Sequence, residues 1–141
     1  MAEVMAGFVC GYALSLIATP VVGIALLRAR TTSPTLSRVL PEGTSLIAVS
    51  VILHTFAFLI LTALGILLGI LLAGLEENSP GGGLGSPNRA FTGFMIIATA
   101  IAVAPLALVA PRLRLALLAG GAVVLGSFGW LMPYLSLLGP D

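Results

Sequence analysis

SLIAVSVILHTFAFLILTALGILLGILLAGL, residues 45–75, decides the class of this protein. The stretch runs for 31 residues without a charged side chain and carries, in its first half, the only histidine of the chain, His54. An α-helix rises about 1.5 Å per residue, so about 20 apolar residues cross a hydrocarbon core of about 30 Å. The run is therefore long enough to span a bilayer with tilt, or with its ends among the headgroups.

Working outward, residues 4–27, 91–111 and 115–138 form three further charge-free runs of 24, 21 and 24 residues. Of the 141 residues, 59% are hydrophobic and 8% charged, whereas an average soluble protein carries roughly 25% charged residues. So few charges cannot cover a water-exposed surface. The expected fold is an all-α membrane protein, one integral domain over residues 1–141, with four transmembrane helices in a compact bundle. Glu3 stands ahead of the first run with no basic residue before it, so that run reads as a retained span and not a cleaved signal peptide. A single cysteine, Cys10, excludes an intrachain disulfide. Lysine and glutamine are absent while Ala, Gly, Leu, Val, Pro and Arg dominate. This composition fits a GC-rich prokaryote, and the expected location is the prokaryotic cytoplasmic membrane.

The basic residues orient the spans. Arg28, Arg30 and Arg38 fall in the first connection and Arg112 and Arg114 in the third, leaving only Arg89 in the second. By the positive-inside rule the first and third connections face the cytoplasm, and both termini face outward. These five arginines are the expected cytoplasmic anchors, suited to anionic headgroups before nucleic acid. Tyr12, Phe91, Phe94, Trp130 and Tyr134 fall toward the outer ends of their spans, as an interfacial aromatic belt does, and Phe56 and Phe58 read as packing residues. Ser33 followed by Pro34 is a helix-start signal. With Leu36, Val39 and Leu40 at helical spacing and Pro41 as a stop, it predicts a short interfacial helix over residues 34–40. The Gly- and Pro-rich second connection, EENSPGGGLGSPNR, reads as a flexible solvated connector, with a binding lip as the alternative.

Gly7, Gly11, Ser15, Thr19 and Gly23 recur at intervals of four residues in the first span, and Gly65 and Gly69 do so in the second. Such positions form one ridge of small side chains along a helix and permit close backbone approach in lipid. Span four carries the pairs Ala116–Gly120 and Ala122–Gly126. Pro20 and Pro105 lie inside spans one and three, where each removes a backbone donor and is expected to kink its helix. Gly-Phe begins both of these spans, proline follows the glycine by 13 residues in one and 12 in the other, and Arg-x-Arg closes both. The pattern raises a duplicated helical hairpin against simple convergence of composition.

At about 100° per residue, Ile47, Phe58, Gly65, Gly69 and Leu72 lie within about 60° of His54. The histidine thus shares the stripe of the second span's glycines and is expected to face protein. In the plainest reading it is a neutral imidazole bonded to a hydroxyl of a neighbouring span. Ser15, Thr19, Thr99 and Ser127 are the candidate partners. The functional readings are a haem ligand, a quinone contact or a proton relay. No Asp, Glu, Lys or Arg lies inside any charge-free run, and no nucleophile–base pair, metal-ligand set or phosphate loop appears. The leading expectation is a non-catalytic protein acting by helix association, without a cofactor, as an accessory subunit of a membrane complex or as a homo-oligomer. Its partners are then the lipid bilayer and other membrane subunits or itself. The alternatives are a small permease or channel for a neutral or weakly polar solute, formed by a dimer, and a haem- or quinone-associated redox subunit using His54.

Overall fold

A computed structural model describes residues 1–31, 34–39, 43–76, 84–109 and 111–138. Helix α1 spans Ala2–Arg30, the short α2 Pro34–Val39, α3 Leu46–Glu76 and α4 Arg89–Val109. The last span is composite: a 3-10 turn at Pro111–Leu113 leads into α5, Arg114–Val124, then a π-helical segment, Leu125–Leu131, and α6, Met132–Leu137. Four helical stretches, Ala2–Ala29, Ile47–Leu75, Arg89–Val109 and Arg114–Leu137, are long and apolar enough to cross a membrane.

Local chemistry sets the helix starts. The α-amino group of Met1 pairs with Glu3 at 2.9 Å, placing a carboxylate in the first turn of α1, where the helix dipole favours it. Ser45 caps α3 by accepting the N–H of Ala48 at 3.4 Å. Asn88 caps α4 more tightly, its Oδ1 accepting the N–H of Phe91 at 2.9 Å. Pro34 opens α2, while Ser33 and Leu40 lie outside the described residues. Both α1 and α4 remain helical across Pro20 and Pro105.

The pattern of burial inverts that of a water-soluble bundle. Large apolar side chains such as Val21, Ile60, Ile101 and Leu115 point outward, whereas Ser15, Thr62, Ser86, Asn88, Thr92 and Ser136 are buried. In lipid every backbone group must be satisfied within the helix, and helices gain from close contact more than from escape of apolar surface.

α1 and α3 share by far the largest interface and run antiparallel, α1 also meets α6, α4 packs on α5 and the π segment, and α3 and α4 touch at few points. The start of α1 lies beside the end of α6, Met1, Ala2 and Met5 facing the same hollow as Leu135 and Leu138. Core residues Ala6, Cys10, Leu14, Leu72, Phe91, Met95, Phe128 and Met132 gather at this end. Among the described residues, Ala107 is the single buried position in the opposite half, where the arginine-bearing connections lie. The bundle is closed at one end and loose at the other.

The two hairpins pack by different means. Between α1 and α3 the contacts are backbone against backbone at glycine, whereas Gly121 and Gly129 of the second hairpin meet side chains. Of the two phenylalanines read as packing residues, Phe58 meets Phe8 and Tyr12 edge to face, at 6.4 and 6.0 Å between ring centroids. Phe56 points outward instead, 61% exposed.

Candidate functional site

The α1–α3 interface positions the chemistry. A β-carbon on Gly7 would collide with Gly65, and one on Gly11 would stand 2.7 Å from the carbonyl carbon of Leu61 and 2.8 Å from Cα of Thr62. On Gly69 it would stand 2.5 Å from the carbonyl oxygen of Glu3. Further along α1, Ser15 is fully buried and its hydroxyl donates to the carbonyl of Tyr12 at 2.7 Å. Gly23, at the same spacing, meets only a methyl group of Leu53, at 3.8 Å, so the two helices have parted there.

His54 lies where that separation begins. Thr19 Oγ1 stands 3.0 Å from His54 Nδ1 and 2.7 Å from the carbonyl oxygen of Ser15. Of the four hydroxyls expected as partners, Thr19 is the one the structure brings to the imidazole. The histidine is half-buried, at the wall of a cleft of about 460 Å³ lined also by Thr19, Ile47, Ser50, Val51 and Thr55. Thr55 turns its hydroxyl back to the carbonyl of Val51 at 2.9 Å. Arg28, Arg38 and Arg114 are exposed, and the side chains of Arg30 and Arg112 lie outside the described residues. Among the described residues no group of three or more His, Cys, Asp and Glu side chains is placed to hold a metal ion.

A second polar cluster, at the closed end, escapes the sequence reading. The segment leading into α4 is read as a flexible connector; residues 77–83 lie outside the described residues, but residues 84–88 are docked. Trp130 donates its indole N–H to the carbonyl of Leu84 at 2.9 Å, and the Tyr134 hydroxyl donates to that of Gly85 at 3.0 Å. Leu84 and Gly85 both have positive φ, 57° and 67°, which turns the chain back onto the last span. Beneath them, Thr92 lies 2.7 Å from the carbonyl oxygen of Gly129 and 2.6 Å from Ser86 Oγ. A carbonyl only accepts, so the Thr92 proton goes to Gly129 and Ser86 donates to Thr92.

Gly129 needs this help. Pro133, four residues on, has no N–H to give its carbonyl. The only readable signals were Pro133 and the two aromatics; neither names Thr92 as their partner. No family model matches the chain, and no curated protein and no solved structure is significantly similar to it.

Proposed function

We propose that the chain acts by helix association in the bilayer, as an accessory subunit or as a homo-oligomer, and that α5 carries the contact. The observation behind this reading is an apolar groove of about 570 Å³ between α3, α4 and α5, whose walls include Ala98, Ala102, Ala116, Gly120 and Gly121. Gly120 lines it, and a β-carbon added there meets nothing within 4 Å. A glycine inside a helix costs about 1 kcal/mol relative to alanine. At Gly7, Gly11, Gly65 and Gly69 an intramolecular contact uses the missing side chain; at Gly74, Gly93, Gly120 and Gly126 none does, and of these four Gly120 alone lines the groove. Close approach of a helix from another chain at the groove gives Gly120 a use.

In this reading the termini face outward and Arg28, Arg30, Arg38, Arg112 and Arg114 face the cytoplasm. α2 then lies in the interface with Arg38 toward the headgroups. The host is a prokaryotic cytoplasmic membrane, and no nucleic acid takes part. Crosslinking in native membranes followed by mass photometry of the extracted particle tests the proposal. The expected result is a particle larger than one chain, shifted toward the monomer by Gly120→Leu. A strictly monomeric particle, in membranes and after extraction alike, overturns it.

A further inference from the structure

We infer that His54 is the acceptor of a hydroxyl-bearing amphiphile, held in the cleft between α1 and α3. The carbonyl oxygen of Ser15 can only accept. Thr19 has one hydroxyl proton and lies 2.7 Å from that oxygen, so the proton goes there. Thr19 Oγ1 then has only lone pairs to offer His54 Nδ1, 3.0 Å away, and the shared proton belongs to Nδ1. The neutral imidazole is thereby set as the Nδ1–H tautomer, with a lone pair on Nε2.

Among the described residues Nε2 has no hydrogen-bond partner, and it is not sealed. Among the described residues the single buried side-chain polar atom without a partner is Asn88 Nδ2. His54 Nε2 therefore keeps some exposure, and the histidine lines the cleft together with Ile47, Ser50 and Val51. Its position along α3 matters as well. His54 lies eight residues from the helix start at Leu46, about 12 Å along the axis at about 1.5 Å per residue. A ligand that keeps a polar head near the membrane boundary and an apolar tail in the hydrocarbon can reach it from the loose end of the bundle.

The chemistry of the lone pair selects the head group. An imidazole held as Nδ1–H accepts at Nε2 and cannot donate there, so it recognises the O–H of an alcohol or a quinol and not the carbonyl of a ketone or quinone. Metal ligation is the weaker use of the same lone pair, because among the described residues no carboxylate or thiol joins His54 at the cleft. The site lies on α1 and α3, away from the α5 groove, and stands or falls independently of the association reading.

His54 is the only histidine, so ¹⁵N-histidine labelling reports this one ring. The experiment uses the full chain in phosphatidylcholine nanodiscs, titrated with farnesol and, separately, with farnesyl methyl ether, which lacks the donor. The expected baseline is a protonated Nδ1 and a bare Nε2. Farnesol should then shift the Nε2 resonance saturably, and the ether should not. Thr19→Val, which releases the tautomer, should weaken the farnesol response several-fold with helix content unchanged by circular dichroism. In nanodiscs containing phosphatidylglycerol, a shift of Nε2 without farnesol supports the same site with the lipid headgroup as the source of the hydroxyl. A proton found on Nε2 at baseline, equal responses to alcohol and ether, or a Soret shift of added haemin in place of any alcohol response overturns the inference.

Discussion

Gly7 and Gly65 stand backbone to backbone, so that a β-carbon built on either would run into the carbonyl group of the other. The relation is reciprocal, and it repeats one turn further on, at Gly11 against Leu61 and Thr62, and in the other direction at Gly69 against Glu3 and Val4. Neither helix can yield without losing its neighbouring contacts.

Gly7→Ala should therefore destabilise the bundle by about 1–3 kcal/mol, the cost of overpacking. Helix content should stay constant, because the backbone hydrogen bonds are internal to each helix. Gly93→Ala is the matched control: its added carbon meets nothing within 4 Å, and helix propensity favours alanine by up to about 1 kcal/mol. Thermal unfolding in detergent should move in opposite directions for the two substitutions. Equal shifts would show that the α1–α3 contact is not what holds the bundle.

Thr92→Val keeps the shape of the side chain but removes the proton given to Gly129. A buried carbonyl left without its donor costs about 1–3 kcal/mol. Ser86 loses its 2.6 Å bond to Thr92 in the same change and keeps only the 3.4 Å contact with the carbonyl of Asn88, so the docked segment at residues 84–88 should loosen. Trp130 is the sole tryptophan and is bonded to Leu84, which makes its emission the local readout. Loss of stability together with a change in Trp130 emission is expected; unchanged fluorescence and melting would refute the assigned hydrogen bond.

Asn88 does one useful thing and one costly one. Its Oδ1 caps α4, and its Nδ2 is buried without a partner. Asn88→Ser keeps a capping oxygen and removes the unpartnered amide, so it should melt at or above the parent. Asn88→Ala removes the cap and should cost about 1 kcal/mol. A serine variant less stable than the alanine variant would contradict this account.

Cys10 is 1% exposed and is the only thiol in the chain. A thiol-reactive fluorophore should therefore leave the folded protein unlabelled and react as the bundle opens. The labelling transition and the circular-dichroism transition should coincide if the closed end melts as one unit. Rapid labelling of native protein would mean that α1 leaves the core readily.

The four spans were legible because the absence of charge over about 20 residues has one physical meaning in a helix. Partnerships were less so. Gly7 and Gly23 share one spacing, yet one meets a carbonyl group and the other a distant methyl, because crossing helices stay close only near the crossing point. The imidazole of His54 had four plausible hydroxyls, and helical periodicity gives direction without naming the neighbour. The docking of residues 84–88 was out of reach: its holding groups, Trp130 and Tyr134, lie 46 and 49 positions further along the chain. Gly- and Pro-rich sequence has no apolar period of its own, and backbone carbonyls, present at every residue, leave no mark in a sequence.

The meeting of α1 with α6 has a consequence for biogenesis. Helices enter the bilayer in the order of their synthesis, at about 5–20 residues per second. The α1–α3 pair can close as soon as α3 emerges, but the face of α1 that bears Ala2, Met5 and Ala6 has to wait for the final helix. During that interval a nascent chain presents an unfinished surface to the insertion machinery and to membrane proteases.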